Sequence, residues 1–289
     1  MAAASEERGP VDADGGGRYG EALFRPEESG EGARIDHAAV VYDPFTRRRL
    51  TALGVGPGLR CLEVGAGTGT VARWLAHEVG VGEVVALDRD TSRLEPLAGP
   101  GLRVLRADLR DLVDLTGPTG PTGLEDETEL GTFDLVHARF VLMHLPERRA
   151  LVGRLVERLA PGGYLVLSDA LDVPDPADTG SAYRTTIDAM WRTLAATIGT
   201  DTGAGLALPR VLRAEGLHDV AAELVCPPLT AGGHLAAFWI ETLRRMRADL
   251  LGVGGLDPAT LDEALAYLAS PELAELAPGM LTVWGRRPP

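Results

Sequence analysis

The stretch "CLEVGAGTGT", residues 61–70, constrains the fold of this chain more than any other. An apolar run ends there in three glycines, Gly65, Gly67 and Gly69, and a carboxylate, Glu63, lies just before them. Glycine has no Cβ, so it reaches backbone angles closed to other residues and lets a ligand lie against the main chain. The stretch therefore predicts a buried strand that turns into a helix beside a bound ligand.

Apolar strand-like segments and amphipathic helix-like segments alternate along the following hundred residues. The pattern predicts strands at 60–64, 83–88, 102–108, 133–138 and 164–170, and helices at 70–80, 91–98 and 146–160. Such alternation indicates an α/β fold, a doubly wound, Rossmann-like sheet that is covered by helices on both faces. Two later apolar segments, at 219–228 and 280–288, extend this sheet to seven strands.

The flanking segments predict an arm and a cap around this core of about residues 55–170. Residues 1–32 are rich in Gly, Glu and Asp and indicate a flexible N-terminal arm, in which Tyr19, Leu23 and Phe24 could dock on the body. One domain is expected over 33–289, beginning with a helix in which Pro44 marks a break or kink. Helical segments at 175–205 and 229–277 predict a cap above the carboxyl ends of the strands, where ligands bind in open α/β sheets.

Two smaller features leave alternatives open. The segment at 116–131 is acidic and of low complexity, and it indicates a solvated insertion or a functional lid. The runs "IDAMWRTL" and "AAFWIETL" place Trp, Met and Phe at helical spacing, which suits either core packing or the apolar lining of a ligand pocket.

Composition and charge exclude several kinds of partner. The net charge is −14 and all 28 basic residues are arginine, so nucleic acid is not an expected partner and Schiff-base chemistry through lysine is excluded. A lysine-free chain rich in Ala, Gly and Arg is typical of a GC-rich, actinobacterial genome. No run of 18 apolar residues and no secretory signal occurs, so no membrane partner and a cytoplasmic location are expected. Cys61 and Cys226 suit small buried hydrophobes, and no cluster has metal-ligand spacing.

The spacing of the glycines separates two classes of cofactor. Dinucleotide-binding turns follow G-x-G-x-x-G, whereas this turn follows G-x-G-x-G and has Thr70 at the third dinucleotide position. A carboxylate at Glu63 would repel a pyrophosphate and suits a cationic ligand, contacted directly or through water. A dinucleotide-dependent oxidoreductase is therefore the weaker alternative.

The ordered motifs resemble those of class I S-adenosylmethionine-dependent methyltransferases over about residues 40–170. "LEVGAGTGT" resembles their first motif, and "VVALDRD", "LRADLRDL", "FDLVHARFVLMHLP" and "LAPGGYLVLSD" resemble the motifs of the next four strands. The closing "MLTVWGRRP" resembles the family's final antiparallel hairpin. The resemblance implies a mostly parallel sheet with an antiparallel last strand, S-adenosyl-L-methionine as cofactor, and methyl transfer to a small-molecule acceptor, such as a natural product of secondary metabolism. It implies no oligomeric state.

The resemblance also implies which residues bind the cofactor. Asp88 would hold both ribose hydroxyls, while the Asp108 carboxylate would accept from the adenine amino group and the Leu109 amide would meet the ring. A ribose diol needs a two-oxygen acceptor, and Asp88 stands 19 residues after Gly69, near the spacing of about 20 expected of such sites. As alternatives, Asp88 could form a turn and Asp108 could cap a helix. The remaining expected cofactor-binding residues are Glu63, Gly65, Ala66, Gly67, Gly69, Arg89, His137 and Ala138.

Two candidate catalytic residues follow the fourth and end the fifth strand, His144 and Asp169. Both are expected at the carboxyl edge, and they resemble the His and Asp of some small-molecule O-methyltransferases. His144 would take the proton of a hydroxyl acceptor, and Asp169 would orient the ring and raise its pKa. Alternatively, His144 packs in a turn. A protein of this fold that binds the cofactor without transferring the methyl, as a cyclase or scaffold, is a second functional alternative.

Overall fold

The protein is described by a computed structural model that covers residues 17–109, 130–178 and 180–289. The first sixteen residues of the expected arm lie outside the described residues. So does nearly all of the predicted acidic insertion at 116–131, of which only Leu130 and Gly131 are described.

The centre of the molecule is a seven-stranded sheet, with two short strands that pair apart from it. Its strand order is β3-β2-β1-β4-β5-β9-β6; β3, β2, β1, β4 and β5 are parallel, and β9 runs antiparallel to both β5 and β6. The predicted doubly wound sheet with an antiparallel last strand is thereby confirmed. The strands are β1 (Arg60–Val64), β2 (Glu83–Asp88), β3 (Leu102–Arg106), β4 (Phe133–Arg139), β5 (Leu159–Leu171), β6 (His218–Val225), β7 (Pro228–Leu229), β8 (Glu275–Leu276) and β9 (Gly279–Arg286).

Helices cover this sheet and form a layer above one of its edges. They are α1 (Glu31–Ala52), α2 (Thr70–Arg73), α3 (Arg148–Glu157), α4 (Ala182–Ile198), α5 (Leu208–Ala214), α6 (His234–Arg245), α7 (Arg247–Gly252) and α8 (Pro258–Ala269). Local chemistry sets several of their ends. The Ser181 hydroxyl accepts from the Arg184 N–H at the start of α4, and Asp257 caps α8, whose first residue is a proline.

Three of the predicted helices differ from expectation. The segment predicted as a helix at 91–98 forms only a short 3-10 helix, Glu95–Leu97. The helix at 70–80 is α-helical only over α2 and continues as a π-helix over Trp74–Val79, ending at Gly80 with φ 70°. The helix α1 runs through Pro44 without interruption. Buried side chains on both sides of the proline, such as Tyr42 and Leu50, hold the two halves against the body, and this packing outweighs the local preference of proline.

Three hydrophobic clusters divide the interior. Two of them pack on the sheet strands, and the third joins α1, α4, α6 and α8 with residues of the N-terminal segment, including Leu23 and Phe24. The segments predicted as a cap therefore share one apolar core with α1. The chain order reverses between β1 and β4, and ligands of open α/β sheets bind at the carboxyl ends beside such a switch point.

Residues 17–30 differ from the flexible arm predicted for 1–32. Leu23 and Phe24 are 7 % and 6 % exposed, and the Gly17 N–H donates to the Thr197 carbonyl at 2.7 Å. The two apolar side chains and Tyr19 supply the burial that the polar composition of this segment did not suggest.

No helix among the described residues is long and apolar enough to cross a bilayer.

Candidate active site

A cavity of about 350 Å³ lies at the carboxyl edge of the sheet, between the glycine turn and the cap. Its sheet side includes the turn after β1 and the carboxylates that end β2 and follow β3. Its cap side includes aromatic rings from the N-terminal segment, α4 and α6. Among the predicted cofactor-binding residues, the cavity is lined by Glu63, Gly65, Ala66, Gly67, Asp88, Arg89, Asp108 and Leu109.

The glycines of the turn serve different purposes. All three have positive φ, but a Cβ on Gly65 would lie 2.4 Å from Val141 Cγ2, and one on Gly69 would lie 2.6 Å from Leu97 Cδ1. A Cβ on Gly67 would meet no atom within 4 Å, although this residue lines the cavity. Gly65 and Gly69 thus allow close packing, and Gly69, which does not line the cavity, precedes α2. Gly67 leaves space against the main chain, as the predicted cofactor requires.

Asp88 ends β2 at the floor of the cavity and holds the turn in place. Its Oδ2 accepts from the Gly67 N–H at 2.8 Å, and its Oδ1 accepts from the Asp90 N–H at 3.1 Å. Burial raises the pKa of this carboxyl, while the backbone N–H donors act in the opposite direction. Each carboxylate oxygen can accept a second hydrogen bond, so the geometry fits a diol.

The N-terminal segment contacts the same edge of the cavity. The Arg18 guanidinium lies 3.2 Å from Asp108 Oδ2, and Arg89 donates to the Glu21 carboxylate and to the Tyr19 carbonyl, each at 2.6 Å. Asp108, which is expected to bind adenine, and Arg89, another expected cofactor-binding residue, therefore also hold the segment over the site. Nothing in the sequence of the segment indicated these ion pairs, because the paired residues are some 70 to 90 positions apart and no local pattern connects them.

Glu63 is held by a neighbouring strand. The parallel register sets Glu63 of β1 opposite His137 of β4, and His137 Nδ1 lies 2.7 Å from Glu63 Oε2. Glu63 lines the cavity while 4 % exposed, whereas His137 is completely buried. His137 and Ala138, predicted to contact the cofactor, do not line the cavity, because β4 is central in the sheet and buried on both faces.

The predicted His144–Asp169 pair is not formed by these side chains. His144 lines the cavity, but its Nδ1 lies 2.9 Å from the Thr200 hydroxyl, and Asp169 Oδ1 accepts from the Val141 N–H at 3.1 Å. The expected rise in the pKa of His144 is also wrong: burial, together with the positive charge of Arg34, lowers it to about 4. Through the bond from the Val141 N–H, Asp169 supports the turn before His144 and not its ring. Burial raises the pKa of this carboxyl to about 7.

Sequence reasoning missed a buried charge network on the cap side. Arg34 donates to both carboxylate oxygens of Glu31, at 2.8 and 2.5 Å, and also to the hydroxyls of Tyr19 and Thr242. Arg34 and Glu31 are only 2 % and 1 % exposed. The spacing of three on a helix was the available signal. It did not separate this pair from ordinary surface pairs, because burial is decided by α6 and the N-terminal segment.

A second missed contact joins α1 to the glycine turn. Asp43 accepts from Arg139 at 2.7 Å and from the Thr70 hydroxyl at 3.2 Å, and Arg139 also donates to Thr46. Through Asp43, α1 is tied both to the end of β4 and to the first residue of α2.

Cys61 and Cys226 are free thiols, and burial raises the pKa of Cys61 to about 12.

Comparisons with known proteins identify the family of this chain. A family model described as a methyltransferase domain matches residues 35–195, more than half of the chain. The methyltransferase str2 of Strobilurus tenacellus is 26 % identical over 237 residues, which cover 80 % of each chain. The methyltransferase str3 of the same organism is 30 % identical over 125 residues, 43 % of this chain and 40 % of that one.

A solved structure shows the same fold. A Galdieria sulphuraria protein assigned as a sarcosine dimethylglycine methyltransferase superposes with a TM-score of 0.51 at 16 % identity, over 88 % of this chain and 87 % of that chain. The protein belongs to the methyltransferase domain family. It is an S-adenosylmethionine-dependent methyltransferase of class I fold, and the oxidoreductase alternative is not supported.

Proposed function

We propose that this enzyme transfers the methyl group of S-adenosylmethionine to a small-molecule acceptor held between the glycine turn and the cap. The observation that carries the proposal is the continuity of one cavity, which is lined by Gly67, Asp88 and Asp108 at one side and by Trp191 and Phe238 at the other. A cavity of about 350 Å³ suits small molecules. A cytoplasmic location and the absence of a nucleic-acid partner stay predictions from the sequence.

The residues of the sheet edge would hold the cofactor. Asp88 would offer two carboxylate oxygens to the ribose, Asp108 and Leu109 would contact the adenine, and the buried side chain of Glu63 lies near the turn. When bound, S-adenosylmethionine supplies an electrophilic sulfonium methyl, whose bond to sulfur breaks as the bond to the acceptor forms, leaving the electron pair on sulfur. The protein contributes alignment and exclusion of water, which can lower such a barrier by roughly 7–11 kcal/mol.

His144 is the side chain best placed to accept the proton of a hydroxyl acceptor. In the tautomer that donates its Nδ1–H to the Thr200 hydroxyl, the lone pair of the neutral ring lies on Nε2. Asp169 is a positioning residue in this proposal, since it accepts from the Val141 N–H at the start of the turn that carries His144. Burial and the Arg34 charge lower the pKa of His144 to about 4, so the ring is neutral throughout the physiological pH range and a weaker base than an ordinary histidine. It would take the proton only as methyl transfer makes the hydroxyl strongly acidic.

Cofactor binding and transfer test the proposal together. Wild-type protein should gain melting temperature with S-adenosylhomocysteine, because a ligand selective for the folded state stabilises it by mass action. Gly67→Arg should lose this gain, since its side chain would enter the open space beside the turn. Gly101→Arg is the matched control, at another glycine with positive φ and open space that does not line the cavity. Methyl-labelled S-adenosylmethionine with small hydroxylated acceptors then reports transfer; an equal shift in both variants contradicts the site.

We also expect the His144 ring to be neutral at mildly acidic pH. In the protein saturated with S-adenosylhomocysteine, ring resonances of His144, assigned by their loss in His144→Gln, should remain those of neutral imidazole at pH 5.5. Burial and the Arg34 charge both disfavour the protonated ring, which is why its pKa is about 4 and not the ordinary 6.5. Exposed His77, on the π-helix, is the internal control. Titration of His144 near pH 6.5 in an NMR pH series would contradict the enclosed, neutral ring.

A further inference from the structure

The cap side of the cavity is aromatic. Trp191 of α4, Phe238 and Trp239 of α6, and Tyr19 and Phe24 of the N-terminal segment all line it. Their rings contact one another: Trp191 and Trp239 are 6.0 Å apart at 81°, and Phe238 and Trp239 are 4.9 Å apart at 75°. Faces and edges of this kind pack favourably against a planar π system.

The cations that line the cavity are all engaged with carboxylates of the protein. Arg34 pairs with Glu31, Arg139 with Asp43, Arg89 with Glu21, and Arg18 with Asp108. Arg34 is further enclosed between aromatic faces, its guanidinium carbon lying 4.3 Å from the ring centre of Phe24 and 5.0 Å from that of Phe238. An anionic acceptor would have to break one of these pairs, because burying an unpaired charge is costly.

A cationic acceptor is disfavoured by the positive charge on the cap side. The carboxylates that line the cavity, Glu63, Asp88 and Asp108, belong to the cofactor side, whereas Arg34 lies on the cap side with its partner Glu31 behind it. The Arg34 charge reaches His144, where it disfavours the protonated ring. An ammonium group beside His144 would meet the same repulsion. Aromatic rings alone can attract cations, but here Arg34 already occupies that position between Phe24 and Phe238.

We infer that the methyl acceptor is an uncharged, planar conjugated molecule that packs against the rings of Trp191, Phe238 and Trp239, with a hydroxyl beside His144. This inference rests on the proposed function and names its substrate class. In the transfer, the oxygen–methyl bond forms, the sulfur–methyl bond breaks with its electrons left on sulfur, and the hydroxyl proton passes to His144 Nε2. The product is a neutral methyl ether.

Three probes that share one phenolic ring test the charge of the acceptor. Methyl 4-hydroxycinnamate is neutral, 4-hydroxycinnamate carries a carboxylate, and tyramine carries an ammonium group. Their binding to protein saturated with S-adenosylhomocysteine is measured by quenching of tryptophan fluorescence, which does not require turnover. The neutral ester should bind at least about tenfold more tightly than the acid or the amine. Absence of saturable quenching by the ester, or tighter binding of either charged probe, overturns the inference.

Two variants test the aromatic wall. Trp239→Leu removes one of its rings, and it should weaken binding of the ester by about threefold to tenfold. Trp284→Leu is the matched control, since Trp284 is on β9, stacks against Arg49 and does not line the cavity. Unchanged affinity in Trp239→Leu overturns the role of this wall. The proposed function fails separately, if the wild-type protein does not bind S-adenosylhomocysteine at all.

Discussion

Replacing Asp88 with alanine is expected to weaken binding of S-adenosylhomocysteine by about tenfold to a hundredfold or more. The carboxylate is the two-oxygen acceptor for the ribose in the proposed site, and loss of one hydrogen bond to a charged group costs on the order of 1.5–3 kcal/mol. The same change removes the acceptor of the Gly67 N–H, so the turn loses its support as well. Isothermal titration calorimetry measures the affinity directly.

Asp90→Ala is the matched control for this experiment. Asp90 lies two residues further on, accepts from the Ser92 N–H and does not line the cavity, so its loss should leave the affinity nearly unchanged. Asp88→Asn, which keeps the shape of the side chain, guards against a loss that arises from misfolding. If both Asp88 variants bind as tightly as the wild type while remaining folded, Asp88 does not hold the ribose.

Replacing Arg34 with methionine is expected to destabilise the fold by about 3–5 kcal/mol. The substitution leaves the buried Glu31 carboxylate, 1 % exposed, without its two short contacts; the cation that remains near it among the described residues is Arg245, at 3.8 Å. A buried carboxylate without a paired cation is among the costliest defects that a single substitution can introduce. Urea-induced unfolding, monitored by circular dichroism, measures the change in the free energy of unfolding.

The double variant Glu31→Gln with Arg34→Met separates charge from packing. It removes both charges, and most of the lost stability should return, because neutral groups of similar volume can replace a buried ion pair at little cost. Arg247→Met breaks the solvent-accessible pair with Asp262 and should change stability far less. If the Arg34 variant unfolds at the same urea concentration as the wild type, the buried pair does not support the cap.

Local chemistry made part of the site predictable. A strand that ends in Gly65, Gly67 and Gly69, and an aspartate that ends the next strand, are effects of neighbours in sequence. Since the carboxyl ends of parallel strands meet at one edge, these residues had to converge once the sheet was predicted. The order of the motifs was therefore enough to predict which residues meet on this side of the cavity.

The cap side of the cavity could not be predicted from the sequence in the same way. Tyr19 and Phe24 come from a segment whose composition indicated flexibility, and Arg34 is one of 28 arginines on a strongly acidic chain. Their burial depends on α4 and α6, which lie more than 140 residues later in the chain. His144 was located correctly at the sheet edge, but its partner is Thr200 and its pKa is lowered, because enclosure by the cap outweighs any distant carboxylate.

The amino-acid sequence by itself determined the sheet, the glycine turn and the carboxylates that follow it, since periodicity and backbone freedom act over a few residues. Only the tertiary structure decided which charges are buried together, as with Arg34 and Glu31, and which strand faces which, as with Glu63 and His137. Those pairings depend on register and on packing between segments far apart in the chain. Electrostatic energies change steeply with burial and distance, so the charge pairs on the cap side of the cavity are set by the tertiary packing and not by the local sequence.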